Sequence, residues 1–147
     1  MLGAKKRTPE RTQQREAMTS LVRLGWGNNN SAFRQMFTSL FIPGATQEQM
    51  DHHNELQRRC TSAECAARSM DAWADLDITE LLPKVKVPTL VMHLRDDAMI
   101  PFDEGKKLAA NISGARFVAL QGQNHLFLEN EPAAQRLFEE INLFLGR

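Results

Sequence analysis

The chain has 147 residues, with 18 Lys+Arg against 18 Asp+Glu, so its formal net charge is zero. This length is typical of one domain or a large part of one, and hydrophobic and charged contents of 42% and 24% exclude a disordered chain. Nucleic acids and anionic membranes attract proteins with a net basic field, so we expect neither as a partner. Apolar runs fall far short of the roughly 20 residues that span a bilayer. The N-terminal Met-Leu-Gly-Ala-Lys-Lys-Arg also lacks the apolar stretch of a signal peptide. We therefore predict a cytoplasmic protein.

The two cysteines, Cys60 and Cys65, do not form a recognisable metal motif. A structural zinc site needs a second pair of Cys or His residues at a similar spacing, and the sequence has none. Thiols without such a pair are typical of a protein in a reducing compartment. We predict two free thiols, no metal site and no cofactor.

The first 82 residues show only helical signals. Pro9, with an acid after it, indicates a helix start, because proline fits the first helical position. This helix should extend to about Leu24 and end at Gly25-Trp26-Gly27. A second helix, predicted to end at Ile42-Pro43-Gly44, is indicated by apolar residues at helical spacing: Phe33, Met36, Phe37, Leu40 and Phe41.

Two capping boxes predict two further helices. Thr46 lies three residues before Gln49, and this pair should begin a helix that extends to about Arg59. Thr61 lies three residues before a glutamate, and this second box should begin a helix that extends to about Ala74. The first 82 residues are thus predicted to form about four short helices.

From Val85 onward, strand and helix patterns alternate. Residues 87–94 are almost continuously apolar, which is typical of a buried strand, and residues 115–120 predict a second strand. One helix is predicted over residues 103–110. Another begins at Pro132 and should bury one apolar face: Leu137, Phe138, Ile141, Phe144 and Leu145. The order strand, helix, strand, helix indicates a parallel sheet in an α/β fold.

An acid and a histidine follow the two predicted strands. Asp97 lies in the loop after the first strand, and His125 lies in the loop after the second. Catalytic groups of an open parallel sheet collect beyond the carboxyl ends of its strands, so we expect both side chains in one crevice. In acyl transfer, a carboxylate fixes the tautomer of an imidazole, and the ring accepts a proton from a nucleophile. We predict Asp97 and His125 as catalytic residues.

These residues carry a resemblance to a known family. Val87-Pro88-Thr89-Leu90-Val91, Asp97-Ala98-Met99-Ile100-Pro101 and Gly122-Gln123-Asn124-His125 together resemble the C-terminal half of an α/β-hydrolase. The acid loop of that family reads Asp-x-x-Val/Ile-Pro, and its histidine loop reads Gly-x-x-His. The spacing to the proline selects Asp97 over Asp96 as the acid.

The resemblance also implies a domain organisation. Residues 1–82 would form a helical segment like the lid or cap of such enzymes. Residues 83–147 would form the β-α-β-α C-terminal piece of the α/β-hydrolase parallel sheet, with an incomplete core.

The nucleophile of the family is missing from the sequence. It normally lies in Gly-x-Ser-x-Gly, and none of the serines is flanked in this way: Ser20, Ser31, Ser39, Ser62, Ser69 and Ser113. We expect the nucleophile and the oxyanion-hole donors to lie upstream of Met1. The resemblance thus implies a truncated relative of serine hydrolases of small ester- or amide-type substrates, inactive as an isolated chain.

A second resemblance suggests an alternative function. Leu24-Gly25-Trp26-Gly27, Phe33-Arg34-Gln35 and Phe41-Ile42-Pro43 look similar to hydrolase-like modules of LuxR-type transcriptional regulators and nucleotide cyclases. The alternative is therefore a non-catalytic ligand-sensing or dimerisation module, associated with a bacterial regulator and binding a small apolar ligand.

Several residues have two interpretations. Five side chains are candidates for a substrate or ligand pocket: Trp26, Phe33, Phe37, Trp73 and Met99. Residues at helical spacing are more often plain core than pocket, so we favour core for the apolar stripe of the second helix, although one helix can serve both purposes. His93 fits a satisfied core histidine, while His52 and His53 fit a solvated helix face. Asp96 is predicted to point outward, and Asp103 is predicted to cap a helix.

The first predicted strand, residues 88–94, has an edge for which this sequence offers no partner. Unpaired backbone groups at a sheet edge favour pairing with another chain, and a second copy is always available. We therefore predict a homodimer in which two such strands pair antiparallel in one continuous sheet.

Overall fold

The computed structural model describes residues 8–147, apart from the side chain of Arg11; the N-terminal Met1–Arg7, on which the signal-peptide prediction rests, lies outside the described residues. The elements in chain order are α1 (Pro9–Gly25), α2 (Ala32–Phe41), α3 (Gln47–Cys60), α4 (Ala63–Asp75), a 3-10 helix (Thr79–Lys84), β1 (Leu90–Leu94), α5 (Phe102–Ala110), β2 (Arg116–Leu120) and α6 (Pro132–Leu145). The predicted α/β fold class is confirmed. The 3-10 helix, which buries Leu82, was not predicted.

The helix caps follow the local sequence closely. At the start of α3, Thr46 accepts a hydrogen bond from the Gln49 backbone N–H, and the Gln49 side chain accepts one from the Thr46 backbone N–H. The predicted capping box at Thr46 is therefore confirmed. The second box is wrong by one residue, because Ser62 caps α4 by accepting from the Cys65 backbone N–H. Thr61 instead ends α3 in an extended conformation.

The buried face of α2 is more polar than its apolar spacing predicts. It buries Arg34, Phe37 and Thr38, whereas Met36 and Leu40 are exposed. The interpretation of the whole apolar stripe as core is thus wrong for Met36 and Leu40. Spacing shows which residues share a face but not which face the neighbouring helices cover.

The two strands form a parallel pair. Leu90 lies opposite Arg116 and Leu94 lies opposite Leu120, and the described residues contain this two-stranded sheet alone. β1 is shorter than the predicted residues 87–94, because Pro88 has no N–H to donate and Val87 is exposed. Leu94, Leu120 and Ala133 form a buried cluster between the sheet and α6. This packing fixes the ends of the strands, where the loops begin.

The buried face of α6 also differs from the prediction. Phe138 and Leu145 are exposed, and the helix buries Ala133, Ala134 and Glu140 instead. Glu140 accepts hydrogen bonds from the guanidinium groups of Arg116 and Arg136, which explains how its carboxylate is tolerated there.

The described chain divides into two units. The helical unit comprises residues 8–39 and Thr46–Asp77, and the α/β unit comprises Leu40–Ala45 and Ile78–Arg147. The predicted division at residue 83 concerns domain organisation and stays a prediction. A separate observation concerns membranes: none of the helices over residues 8–147 is both long and apolar enough to cross one.

Candidate active site

The loops after β1 and β2 lie side by side because the pairing of the strands continues beyond their ends. The Arg95 N–H donates to the Leu120 carbonyl at 2.9 Å, and the Asp96 N–H donates to the Gly122 carbonyl at 3.1 Å. One step further, the Ala98 N–H donates to the Gln123 carbonyl at 3.2 Å. These bonds hold the Asp97 loop against the loop that carries His125, at the carboxyl ends of the strands.

Asp97 is fixed by its own turn. Its Oδ1 accepts hydrogen bonds from the backbone N–H groups of Met99 and Ile100, at 2.8 Å and 2.9 Å. This arrangement leaves Oδ2 to meet other side chains. Since the Asp97 side chain is only 4% exposed, few other orientations are open to it.

His125 meets the other carboxylate oxygen of this acid. Its Nδ1 lies 2.8 Å from Asp97 Oδ2, and its side chain is 32% exposed. An ionised carboxylate only accepts hydrogen bonds, so Nδ1 is the donor in this pair. The structure thus brings together the two residues that the sequence predicts as catalytic.

Opposing effects act on the pKa of Asp97. Burial raises it, while hydrogen bonds from His125 and from the Ile100 and Met99 backbone lower it, as does the charge of the imidazole. The hydrogen bonds prevail, and the pKa of Asp97 lies below its usual value. Asp97 is therefore a carboxylate at neutral pH.

The pair has a definite chemical capacity. A carboxylate on Nδ1 holds a neutral imidazole in the tautomer whose Nε2 carries a lone pair. That nitrogen can accept a proton from a hydroxyl, and the carboxylate stabilises the resulting imidazolium. The arrangement is therefore suited to general-base catalysis.

A second histidine lies near Asp97. His93 Nε2 is 3.0 Å from the Ile100 carbonyl, to which it donates, and 3.6 Å from Asp97 Oδ2. Its ring also lies edge-on to Phe102, with 5.8 Å between the ring centres. This placement agrees with the interpretation of His93 as a satisfied histidine. Its contact with the acid turn was not predicted, although its position four residues before Asp97 was visible in the sequence.

The C-terminal end of α2 also reaches the histidine loop, which the sequence did not indicate. The Leu126 N–H donates to the Phe41 carbonyl at 3.2 Å. The rings of Phe41 and His125 lie 5.6 Å apart. Both residues belong to the α/β unit, and because they lie more than 80 residues apart in sequence, no local pattern relates them.

The predicted pocket residues are divided between the two units. In the helical unit, the Phe37 ring lies 5.6 Å from Trp26 and 5.7 Å from Phe33, and the Trp26 Nε1–H donates to the Thr61 carbonyl. Trp73 belongs to the same unit and is 67% exposed. Met99 lies in the acid turn of the α/β unit. The assignment of these five residues to a pocket stays a prediction.

Other titratable residues have ordinary surroundings. Asp96 is exposed as predicted, but Asp103 does not cap α5 and instead pairs with Lys106. His52 is exposed, whereas His53 is half-buried, and burial lowers its pKa. Among residues 8–147, no three His, Cys, Asp or Glu side chains are grouped where they could hold a metal ion. Cys60 and Cys65 are exposed free thiols.

Comparisons with known proteins identify the fold. A non-heme chloroperoxidase of Kitasatospora aureofaciens is 40% identical over 63 residues, which are 42% of this chain and 23% of that protein. A bifunctional esterase/perhydrolase of Acinetobacter calcoaceticus is 36% identical over 55 residues, 37% of this chain and 20% of that protein. No protein-family model matches the chain.

A solved structure extends the similarity to nearly the whole chain. It is an α/β-hydrolase enzyme from a Medee basin deep-sea metagenome library, with a TM-score of 0.71 and 19% identity over 99% of this chain. The chain carries part of the α/β-hydrolase fold. It spans 54% of that solved chain, and its matches cover less than a quarter of either curated relative. The finer resemblance to modules of LuxR-type regulators and nucleotide cyclases stays a prediction.

Proposed function

We propose that Asp97 and His125 are the acid and the base of a serine-hydrolase-type acyl-transfer site. The observation that carries this proposal is the 2.8 Å contact between His125 Nδ1 and a buried carboxylate whose other oxygen is occupied by two backbone N–H groups. Because both oxygens of Asp97 are engaged, the ring is held in one tautomer, with Nε2 as the base.

The proposed reaction needs a serine that this sequence does not present in Gly-x-Ser-x-Gly. We propose that it is supplied by polypeptide outside these 147 residues. His125 Nε2 would accept the serine proton as the oxygen attacks the acyl carbon, and would then return that proton to the leaving group. An ester- or amide-type substrate fits this chemistry, and one relative is named as an esterase.

Cleavage of p-nitrophenyl acetate by the 147-residue chain tests the proposal. Without its serine the chain should show no saturable enzymatic turnover. We expect only slow, non-saturating cleavage above the rate in buffer, because an oriented imidazole remains a base. His125→Ala and Asp97→Asn should remove most of this rate. His52→Ala is the matched control, since it removes an exposed histidine from the helical unit. A fluorophosphonate, which labels activated serines, should leave the chain unlabelled.

Two results would overturn the proposal. Equal cleavage by the His125→Ala variant and the unchanged chain would show that the pair is not an acid–base site. Labelling of a serine by the fluorophosphonate, together with saturable turnover, would show that the chain contains its own nucleophile.

A second candidate function rests on the aromatic cluster in the helical unit. Trp26, Phe33 and Phe37 are in ring contact, and the exposed Trp73 offers a further aromatic surface. We propose that these side chains bind a small apolar ligand in a sensing module. A small aryl ester should then raise the melting temperature and quench tryptophan fluorescence, and Phe37→Ala should abolish both effects. The absence of any shift in the unchanged chain would contradict this function.

We also propose that the chain forms a homodimer through residues 88–94. Two observations support this proposal: β1 pairs with β2 along one edge, and Val87 beside it is exposed. Light scattering after size exclusion should give twice 16.7 kDa. Replacing Val91 would damage the core, and the Thr89 carbonyl already accepts from the Arg116 N–H of β2. Leu90→Pro is the better probe, because the backbone of Leu90 faces the free edge, and it should yield monomers. A monomer in the unchanged chain would refute the dimer.

A further inference from the structure

Asn124, the residue before His125, is completely buried and uses both ends of its amide. Its Oδ1 accepts a hydrogen bond from the Gly44 backbone N–H at 2.7 Å. Its Nδ2 donates to the Glu131 carboxylate. These partners determine the orientation of the amide, because Gly44 offers a donor and Glu131 offers an acceptor.

The hydrogen bonds of Asn124 connect three parts of the α/β unit. Gly44 follows α2, and Glu131 is the residue from which α6 begins. The second carboxylate oxygen of Glu131 accepts from the Leu128 backbone N–H at 3.3 Å, so it also holds the end of the histidine loop. The histidine loop is thus held by residues that follow α2 and precede α6. Its position does not depend on contacts within the loop alone.

The residues on both sides of His125 are held by hydrogen bonds. On one side, Asn124 binds Gly44, and on the other side, the Leu126 N–H donates to the Phe41 carbonyl. The turn at residues 41–44 therefore holds both neighbours of the histidine. Gly44 fits closely, since a Cβ there would lie 2.8 Å from Gln123 Nε2 and 3.3 Å from Asn124 Oδ1.

The two members of the pair are held differently. Asp97 is fixed by N–H groups of its own turn, two and three residues away. His125 lies in a loop without regular structure, and its ring is partly exposed, so the direction of its side chain depends on where the loop is anchored. A displacement of about 1 Å at a catalytic group lowers a rate by roughly 100-fold.

We infer that Asn124 is a positioning residue that sets His125 in hydrogen-bond register with Asp97. A role of Asn124 in catalysis rests on the proposed function. In structural terms, the Asn124 amide accepts one hydrogen bond and donates another, and these two bonds together fix the position of the histidine loop. Aspartate is a poor replacement, because its carboxylate would face that of Glu131, and the contact could form only if one of the two took up a proton.

A single variant and a double variant test the inference, and the double variant conserves the net charge. Asn124→Asp should remove the low-field proton resonance of His125 Nδ1, because the loop shifts and the contact with Asp97 lengthens. The double variant Asn124→Asp/Glu131→Gln restores a donor opposite an acceptor, and it should recover the resonance. The ester cleavage that depends on His125 should fall roughly 10- to 100-fold in the single variant and return in the double variant. Asn142→Asp is the control, since that residue is exposed on α6.

The outcomes separate this inference from the proposed function. Cleavage that does not depend on His125 would refute the proposed function, while the resonance would still report on Asn124. A resonance that survives Asn124→Asp would overturn the inference. If Asn124→Asp unfolds the chain, the folded double variant decides: recovery of the resonance supports the inference, and its loss overturns it. Glu131→Gln alone keeps one carbonyl oxygen for the Asn124 amide and gives up the 3.3 Å bond from the Leu128 N–H, so the resonance should weaken less than in Asn124→Asp.

Discussion

Among the described residues of the helical unit, five are exposed by 1% or less: three are polar, namely Arg34, Thr38 and Asn54, and two are apolar, namely Val22 and Ala67. In the α/β unit, the corresponding interior is the apolar cluster of Leu94, Leu120 and Ala133. Among the described residues of this unit, the buried polar side chains are fewer: Asn124 beside the histidine loop, Glu140 on α6 and the Asp97 carboxylate, which is 4% exposed. The interior of the helical unit thus includes several hydrogen-bonded polar side chains, whereas the interior of the α/β unit is mainly packed apolar side chains.

The difference shows in what surrounds Arg34. Its Nε donates to the Asn54 carbonyl at 2.9 Å, and its Nη1 donates to the carbonyls of Trp26 and Asn28 at 2.7 Å and 2.6 Å. Asn54 in turn accepts from Thr38. Such a network depends on the direction of every hydrogen bond, whereas the apolar cluster depends on the area and volume that it excludes from water. Four predictions probe this contrast.

The largest effect is expected from Arg34→Met. The substitution keeps much of the side-chain volume but leaves three carbonyl groups in the helical unit without their donor. We expect a loss of about 4 kcal/mol of unfolding free energy, from the cost of unsatisfied buried polar groups. Denaturation in urea measures it, with the exposed Arg23→Met as the control. A loss below about 1 kcal/mol would show that the network is not essential to the unit.

Leu120→Ala tests the α/β unit in the same assay. Leu120 is 1% exposed and packs within the apolar cluster, so the substitution leaves a cavity. We expect a loss of about 3 kcal/mol in unfolding free energy. Leu143→Ala, at a position that is 66% exposed, should change it by less than about 0.5 kcal/mol. Equal effects of the two substitutions would contradict the placement of the core.

Gly105→Ala tests the packing of α5 on the sheet. Alanine favours helices over glycine by about 1 kcal/mol, so the substitution would stabilise an isolated helix. Here the new Cβ would lie 2.5 Å from His93 Nδ1. We therefore expect a net destabilisation of about 1–2 kcal/mol, measured by thermal unfolding.

The companion to that prediction is a double-mutant cycle. His93→Gly removes both the ring and the Cβ of His93, which the new methyl group would approach to 2.5 Å and 2.8 Å, so Gly105→Ala should stop being destabilising in that background. If the cost of Gly105→Ala is the same with and without His93, the close approach of α5 to β1 does not produce it.

The smallest effect concerns pH. The pKa of Asp97 is lower in the folded chain than its usual value, so its contribution to stability is complete above the usual carboxyl range. This contribution is lost as the pH falls through the lowered pKa. Urea midpoints at pH 7 and pH 3 should therefore differ more for the unchanged chain than for Asp97→Asn. The exposed neighbour is the control, and Asp96→Asn should leave the difference unchanged.

Much of the local structure could be predicted from the sequence. The helices begin near the predicted caps and prolines, because a cap is decided by residues three positions apart. The strand ends and the loops with Asp97 and His125 were located by the same kind of local signal. Some local details were wrong, since Ser62 and not Thr61 caps α4, and Asp103 does not cap α5. The other errors concern burial: within residues 8–147 no element covers Met36, Leu40, Phe138 or Leu145, so these side chains are exposed.

The sequence by itself determined the α/β alternation and the places of Asp97 and His125 beyond the strands. It did so because these features depend on hydrophobic period, turn chemistry and motif spacing over a few residues. Tertiary structure alone decided that Arg34 is buried among carbonyls, and that Asn124 meets Gly44 from 80 residues away. Those contacts depend on the direction of single hydrogen bonds between distant segments, and a pattern of residue types along the chain does not encode them.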